Sequence, residues 1–148
     1  VIEQYNVDLS DRKLTKQGVA RNELSCTLEQ HGHRSDIRAV AINKADDMVA
    51  SVGKKRLKIW NIRSQKCIIS AEINYGLCVA FIPGDTHVLV GTKKGTLSLF
   101  SLSTGDCVQE VLDAHDGSIW SIDIKPDGMG FCSGGADHQV KFWKFFSF

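Results

Sequence analysis

Hydrophobic and polar residues alternate in runs of five or six along this chain, and each run ends in a Gly-, Asp-, Ser- or Lys-rich turn, which predicts an all-β meander. From Ser118 to Ile124, Ile119, Ser121 and Asp123 alternate with Trp120, Ile122 and Ile124, so the latter three are expected on one face of a strand. Pro126-Asp127-Gly128 then reads as a turn, Met129 to Ser133 as a second strand, Gly134 to Asp137 as a tight turn and Gln139 to Trp143 as a third strand. The same course runs earlier through Ile37 to Ile42, Met48 to Val52, Leu57 to Trp60 and Lys66 to Ala71. It runs again through Leu77 to Ile82, His87 to Val90, Leu97 to Leu102 and Cys107 to Leu112. Val1 to Val7 and Leu24 to Leu28 fit a third and fourth strand, separated by a polar, charged stretch that reads as a solvated loop.

The runs repeat. An aromatic closes a strand at Trp60, Phe100 and Trp143, at intervals of 40 and 43 residues. Gly32-His33 and Ala114-His115 stand 82 residues apart, each ahead of a strand-like run, and Cys67 and Cys107 each follow an aromatic by seven. A period of this size marks a four-stranded propeller blade. Blades bury their faces only against neighbours, and three cannot close a ring, so the chain is expected to be a piece of a longer polypeptide.

Composition changes little in this picture. The chain is 43% hydrophobic and 24% charged with net charge +1, which gives no global pull toward nucleic acid or membrane. No run of eighteen apolar residues occurs, so no membrane partner is expected. Cys26, Cys67, Cys78, Cys107 and Cys132 are odd in number and form no C-x-x-C pair. That pattern points to a reducing compartment and to free thiols acting as small buried hydrophobes.

Gly32-His33 with Trp60-Asn61, and Ala114-His115 with Ser133, Asp137 and Trp143-Lys144, resemble the WD repeat, whose fold is a blade of a β-propeller. The resemblance implies a buried network of His, Ser/Thr, Asp and Trp. The full set occurs once, as His115, Ser133, Asp137 and Trp143; the first repeat keeps His33 and Trp60 but reads Ala50 and Lys54 at the other places. The second repeat lacks the His and the Trp, and Lys94 stands where the Asp belongs. The implied organisation is the end of a preceding blade at 1–31 with a loop insertion at 8–22, a WD blade at 32–73, a degenerate one at 74–113, and one at 114–148 truncated near its fourth strand.

Gly32-His33-Arg34-Ser35-Asp36, Pro83-Gly84-Asp85, Gly91-Thr92-Lys93, Asp113-Ala114-His115-Asp116-Gly117 and Val140-Lys141-Phe142-Trp143 stand in an order similar to nucleolar WD-repeat subunits of the small-subunit processome. That likeness, over about residues 32 to 144, implies a non-catalytic scaffold in pre-ribosomal RNA processing. Implied partners are other WD-repeat and processome proteins, pre-ribosomal or small nucleolar RNA, and the remaining blades of a longer chain. The alternative is a WD interaction module that reads a peptide or phosphopeptide elsewhere.

His115, Ser133 and Asp137 have the residue types of a hydrolase triad, but no G-x-S-x-G elbow occurs and the WD network accounts for all three. His31, His87 and His138 match no zinc spacing, so neither metal nor cofactor is expected. Lys54-Lys55-Arg56 and Lys93-Lys94 occupy the same turn of adjacent repeats and would emerge with Arg34 on one propeller face. Such a cluster suits phosphate contacts to RNA or an acidic protein partner, and equally suits plain solvated turns. Trp143 to Phe148 is apolar and is expected to pack on a neighbouring strand or blade.

Overall fold

The computed structural model describes residues 32–146 together with the backbone of two strands, 2–7 and 22–28. Every described element is a β-strand, and the chain divides into two compact units, Val1–Arg34 and Ser35–Phe148. In the first unit β1 (Ile2–Val7) pairs antiparallel with β2 (Asn22–Leu28). The loop insertion expected at 8–22 lies outside the described residues apart from Asn22, which opens β2, and so do His31 and the side chain of Cys26.

The second unit holds three antiparallel meanders. The first is β3 (Ile37–Ile42), β4 (Met48–Gly53), β5 (Arg56–Asn61) and β6 (Lys66–Glu72), paired in that order. The second is β7 (Gly76–Phe81), β8 (His87–Thr92), β9 (Leu97–Ser101) and β10 (Cys107–Val111). The third is β11 (Ile119–Ile124), β12 (Gly130–Gly135) and β13 (Val140–Lys144). The innermost strands pack side by side, with β7 between β3 and β11. This is the arrangement of propeller blades.

Alternation along the middle sheet builds two cores. Val88, Val90 and Phe100 face the first sheet and pack with Val52, Leu57 and Ile59. Leu89, Leu97 and Leu99 face the other way, onto Ile119, Phe131 and Trp143 of the third sheet. All of β9, and β8 beyond His87, is therefore buried, because both faces are covered. Each fully buried Val, Leu or Ile contributes about 1.5–3 kcal/mol. The outermost β10 is covered far less, which explains why Cys107 is exposed. The expectation of buried thiols holds for Cys78 and not for Cys107, while Cys67 and Cys132 are half-buried.

Turn chemistry joins the sheets as well as the strands. In Pro83-Gly84-Asp85, Gly84 and Asp85 take φ values of 93° and 52°, which aims the Asp85 carboxylate at the first sheet. There it accepts hydrogen bonds from Asn43 Nδ2 (3.0 Å), Ala45 N (3.2 Å) and Lys44 N (3.4 Å). Asn43 Oδ1 in turn accepts from the Met48 and Asp47 amides.

Strict alternation fails in the outer strand pairs β5–β6 and β9–β10, and at a recurring place nearer the centre. The pairing register shifts between Ile37 and Ala39, between Gly76 and Cys78, and between Ile119 and Ser121, in the innermost strand of each sheet. A bulge there re-aims the unpaired residue. Arg38, Leu77 and Trp120 are those residues, and Trp120 is 61% exposed rather than aligned with Ile122 and Ile124. Of the apolar stretch from Trp143 to Phe148, Phe145 packs on Phe131 with ring centroids 5.3 Å apart, Phe146 is exposed, and Ser147 and Phe148 lie outside the described residues.

Candidate functional site

The polar network of the third sheet begins where the chain enters β11. The His115 amide donates to Gly95 O of the preceding sheet (3.1 Å), which holds the imidazole over β12. His115 Nδ1 lies 2.9 and 3.0 Å from the two Asp137 oxygens, and Nε2 lies 2.7 Å from Ser133 Oγ. Trp143 Nε1 donates to the same Oγ at 2.9 Å. An indole N–H only donates, so Ser133 accepts from Trp143 and has His115 Nε2 as acceptor for its own proton, leaving Nδ1–H for Asp137. Gly135 is required beneath the ring, since a Cβ there would sit 2.6 Å from His115 Cγ and 2.7 Å from Asp137 Oδ1.

Asp137 closes the β12–β13 turn. Its carboxylate also accepts the amides of Gln139 and Asp116, each at 3.2 Å. The hydrogen bond from His115, reinforced by these amides, pulls its carboxyl down to about 2 from an ordinary 3.8. Lys141 Nζ stands 4.0 Å away and donates to Ala114 O at 2.7 Å. Four chain segments are thus joined through one buried chain of hydrogen bonds. Ser133 and His115 are each 1% exposed, so the geometry offers no nucleophile to a substrate and serves packing instead.

The first sheet carries a partial copy, at a different residue from the one the sequence reading chose. Trp60 Nε1 donates to Ser51 Oγ at 2.9 Å, and Ser51 pairs with Lys58 as Ser133 pairs with Lys141. Ala50 faces the other way, into the core shared with the second sheet. The displacement has a simple cause: four residues, Gly53 to Arg56, separate the last pair of β4–β5, against five, Gly135 to Gln139, in β12–β13. Counting back from the tryptophan therefore overshoots by one at the hydroxyl, while Lys54 stands three residues before the last-paired Leu57 as Asp137 stands three before Val140, so a lysine occupies the place of the carboxylate. His33 is buried and belongs to the first unit.

In the second sheet Val90 and Phe100 occupy the places of Ser133 and Trp143, and both are buried. Donor and acceptor are lost together, a replacement that leaves no polar group stranded. Lys94 occupies the turn position of Asp137, followed by Gly95 at φ 81°.

Lys54, Lys55, Arg56, Lys93 and Lys94 are all exposed, and the structure sorts them. Tyr75 ties the two lysine turns together: its amide donates to Lys54 O (3.1 Å) and its carbonyl accepts from Lys93 N (2.9 Å). Lys93 Nζ lies 5.1 Å from the Tyr75 ring centroid and Arg38 Cζ 5.7 Å, with Arg38 Nη2 donating to Tyr75 Oη at 2.9 Å. Arg56 is paired with Glu72 at 3.1 Å. Lys94 lines a polar cavity of about 520 Å³ with Asp113, Asp116, Asp137 and Lys141. Arg34 is exposed and belongs to the first unit. Arg38 and Tyr75 were missed by sequence reading; the available signal was an aromatic at 75 where the other two repeats carry Asp36 and Ser118.

Among the described residues no group of three or more His, Cys, Asp or Glu side chains is placed to hold a metal ion. Burial pushes the Cys78 thiol up to about 12, which makes it a poor nucleophile.

Comparison with known proteins agrees with this architecture. The family model "WD domain, G-beta repeat" matches residues 24–61 and 105–144. The unmatched stretch between them contains Val90 and Phe100. The chain is 47% identical over 133 residues to the WD repeat-containing protein 3 homolog of Dictyostelium discoideum, covering 90% of this chain and 14% of that protein. It is 45% identical over 114 residues to human WD repeat-containing protein 3, covering 77% and 12%. It is 38% identical over 144 residues to U3 small nucleolar RNA-associated protein 12 of Saccharomyces cerevisiae, covering 97% and 15%. The chain therefore spans about a seventh of the length of such relatives. Repeating sheets, the His–Ser–Asp–Trp network and the matched family model together make this chain a member of the WD-repeat family.

Proposed function

We propose that this chain is a section of a non-catalytic scaffold protein of the small-subunit processome, working in the nucleolus during pre-ribosomal RNA processing. The observation that carries the reading is 38% identity, over 97% of the chain, to a protein named for its association with U3 small nucleolar RNA. The fold supports a scaffold. The stacked sheets share two continuous cores, and the grouping that imitates a hydrolase triad is buried and committed to structure. Its partners on this reading are other WD-repeat and processome proteins, with further blades supplied by the same longer chain. Contact with pre-ribosomal or small nucleolar RNA runs through those proteins, because the exposed lysines are interspersed with Asp36, Glu72, Asp113 and Asp116.

Depletion of the full-length protein in cells tests this reading. Small-subunit ribosomal RNA precursors should accumulate and free small subunits fall relative to large ones. Normal precursor levels after complete depletion would remove the proposal.

A further inference from the structure

We propose that Cys67 and Lys58 form a covalent modification site, in which hydrogen peroxide oxidises the thiol to a sulfenic acid and the lysine amine captures it as a sulfenamide linking β6 to β5. The inference goes beyond the scaffold reading and does not depend on it.

The register of the first sheet brings the two groups together. Trp60 pairs with Cys67 and Ile59 with Ile69, which leaves Ile68 unpaired in a bulge. Lys58 stands two residues before Trp60 on β5 and shares its face, so the bulge sets the thiol beside the lysine rather than on the opposite side of the sheet. Lys58 Nζ donates to Cys67 Sγ at 4.0 Å and lies 5.7 Å from the Trp60 ring centroid. Lys58 is only 9% exposed, and among the described residues no carboxylate lies within ion-pair distance of it. Lysine is almost never this buried without a charged partner; here the sulfur and the indole face take that place.

The chemistry of the pair follows. Cys67 is half-buried, which admits an oxidant as small as peroxide. Burial pushes its thiol up, and the Lys58 ammonium pulls part of that back, so Lys58 favours the thiolate that peroxide attacks. Sulfur takes one peroxide oxygen as the O–O bond breaks, giving the sulfenic acid and one water. The amine lone pair of Lys58, free of its extra proton, then attacks sulfur. An S–N bond forms, the S–O bond breaks and a second water leaves, so peroxide is reduced to two waters and the thiol is oxidised by two electrons. Capture at this stage forestalls the irreversible sulfinic acid, and a thiol reductant reverses it.

The second sheet supplies an internal contrast. Cys107 stands opposite Phe100 as Cys67 stands opposite Trp60, and each thiol donates to the carbonyl two residues on, at 3.5 and 3.1 Å. Ser98, however, occupies the place of Lys58 and donates to Glu110 Oε1 at 3.1 Å. Cys107 is exposed but has no amine at the matching place, so the same oxidant should carry it to the sulfinic acid without a link.

The test is peptide mapping of the full-length protein after treatment with excess hydrogen peroxide, alkylation of the remaining thiols and trypsin digestion without reductant. Peptide 57–63, uncut at Lys58, should appear joined to peptide 67–93, lighter than their sum by two hydrogens, with fragment spectra placing the bond at Cys67. Dithiothreitol should remove the link. Lys58→Arg keeps the charge but not the nucleophile, and should lower the link at least tenfold while sulfinic acid at Cys67 rises. An unchanged melting temperature shows that this variant folds; where it does not, the map of the parent alone decides. Sulfinic acid at Cys67 with no link in the parent overturns the site. So does an untouched Cys67 when Cys107 is fully oxidised, or a link undiminished in Lys58→Arg. None of these results touches precursor accumulation on depletion, so the scaffold reading and the modification site fail separately.

Discussion

Ser133→Ala removes one oxygen from the polar network, and its cost follows from what that oxygen does. In the parent, Oγ accepts from Trp143 Nε1 at 2.9 Å and stands 2.7 Å from His115 Nε2. Alanine leaves a buried ring nitrogen of His115 and a half-buried indole N–H without partners. Each such loss costs about 1–3 kcal/mol, with the indole at the lower end because water can reach it, so the substitution should cost about 2–4 kcal/mol. That is a large share of a total stability of about 5–15 kcal/mol. Native-state hydrogen exchange of the β12 and β13 amides reads it locally in the full-length protein. Exchange there should accelerate by about 30- to 700-fold, since each 1.4 kcal/mol is a factor of ten. Trp143→Phe then supplies a sharper check. The indole N–H already lacks its acceptor in the Ser133→Ala background, so the two changes should be less than additive, with a coupling of about 1–2 kcal/mol. The second sheet carries such an apolar pair naturally, as Val90 and Phe100. Strict additivity, or exchange rates unchanged by Ser133→Ala, would refute the hydrogen-bond chain.

Asp137 sets an acid limb: its carboxyl titrates near 2 when folded and near 3.8 otherwise, so its contribution is complete above pH 3.8 and disappears as pH falls toward 2. Melting curves of parent and Asp137→Asn should converge at pH 2 and separate above pH 4, and a constant gap would contradict this. Asp85→Ala breaks three hydrogen bonds between the first and second sheets and should cost about 1–2 kcal/mol in urea unfolding; no change in midpoint removes the Asp85 tie. Gly95→Ala places a Cβ 2.7 Å from the Gly117 carbonyl oxygen at φ 81°, and should lower the melting temperature more than alanine at Gly84, where nothing lies within 4 Å. Alkylation at pH 7.5 followed by peptide mass mapping should modify Cys107 in the native protein and Cys78 only after unfolding; equal rates would contradict the burial of Cys78.

Much of the fold is legible in the residues themselves. Strands in this family are short and their turns carry Gly, Asp, Pro or Lys, so periodicity two and turn chemistry place every strand of the second unit to within about two residues. What periodicity cannot see is an unpaired residue. The bulges of β3, β7 and β11 leave alternation intact on paper, and only pairing shows that Trp120 leaves the face of Ile122 and Ile124. Turn length hides in the same way: one residue fewer after β4 shifted the expected hydroxyl from Ser51 to Ala50. The basic site divides for a different reason. Sequence places Lys54 and Lys93 in matching turns, but their convergence on Tyr75 depends on how neighbouring sheets stack, and the pairing of Arg56 with Glu72 depends on cross-strand register.

The central claim, a protein-held scaffold in ribosome assembly, is tested most directly by purifying the tagged full-length protein from nuclear extract with and without ribonuclease and identifying what is retained. The account predicts that processome proteins remain after digestion. Their loss on digestion would make RNA the tether and contradict the protein-held part of the account; recovery of no nucleolar protein in either sample would contradict it altogether.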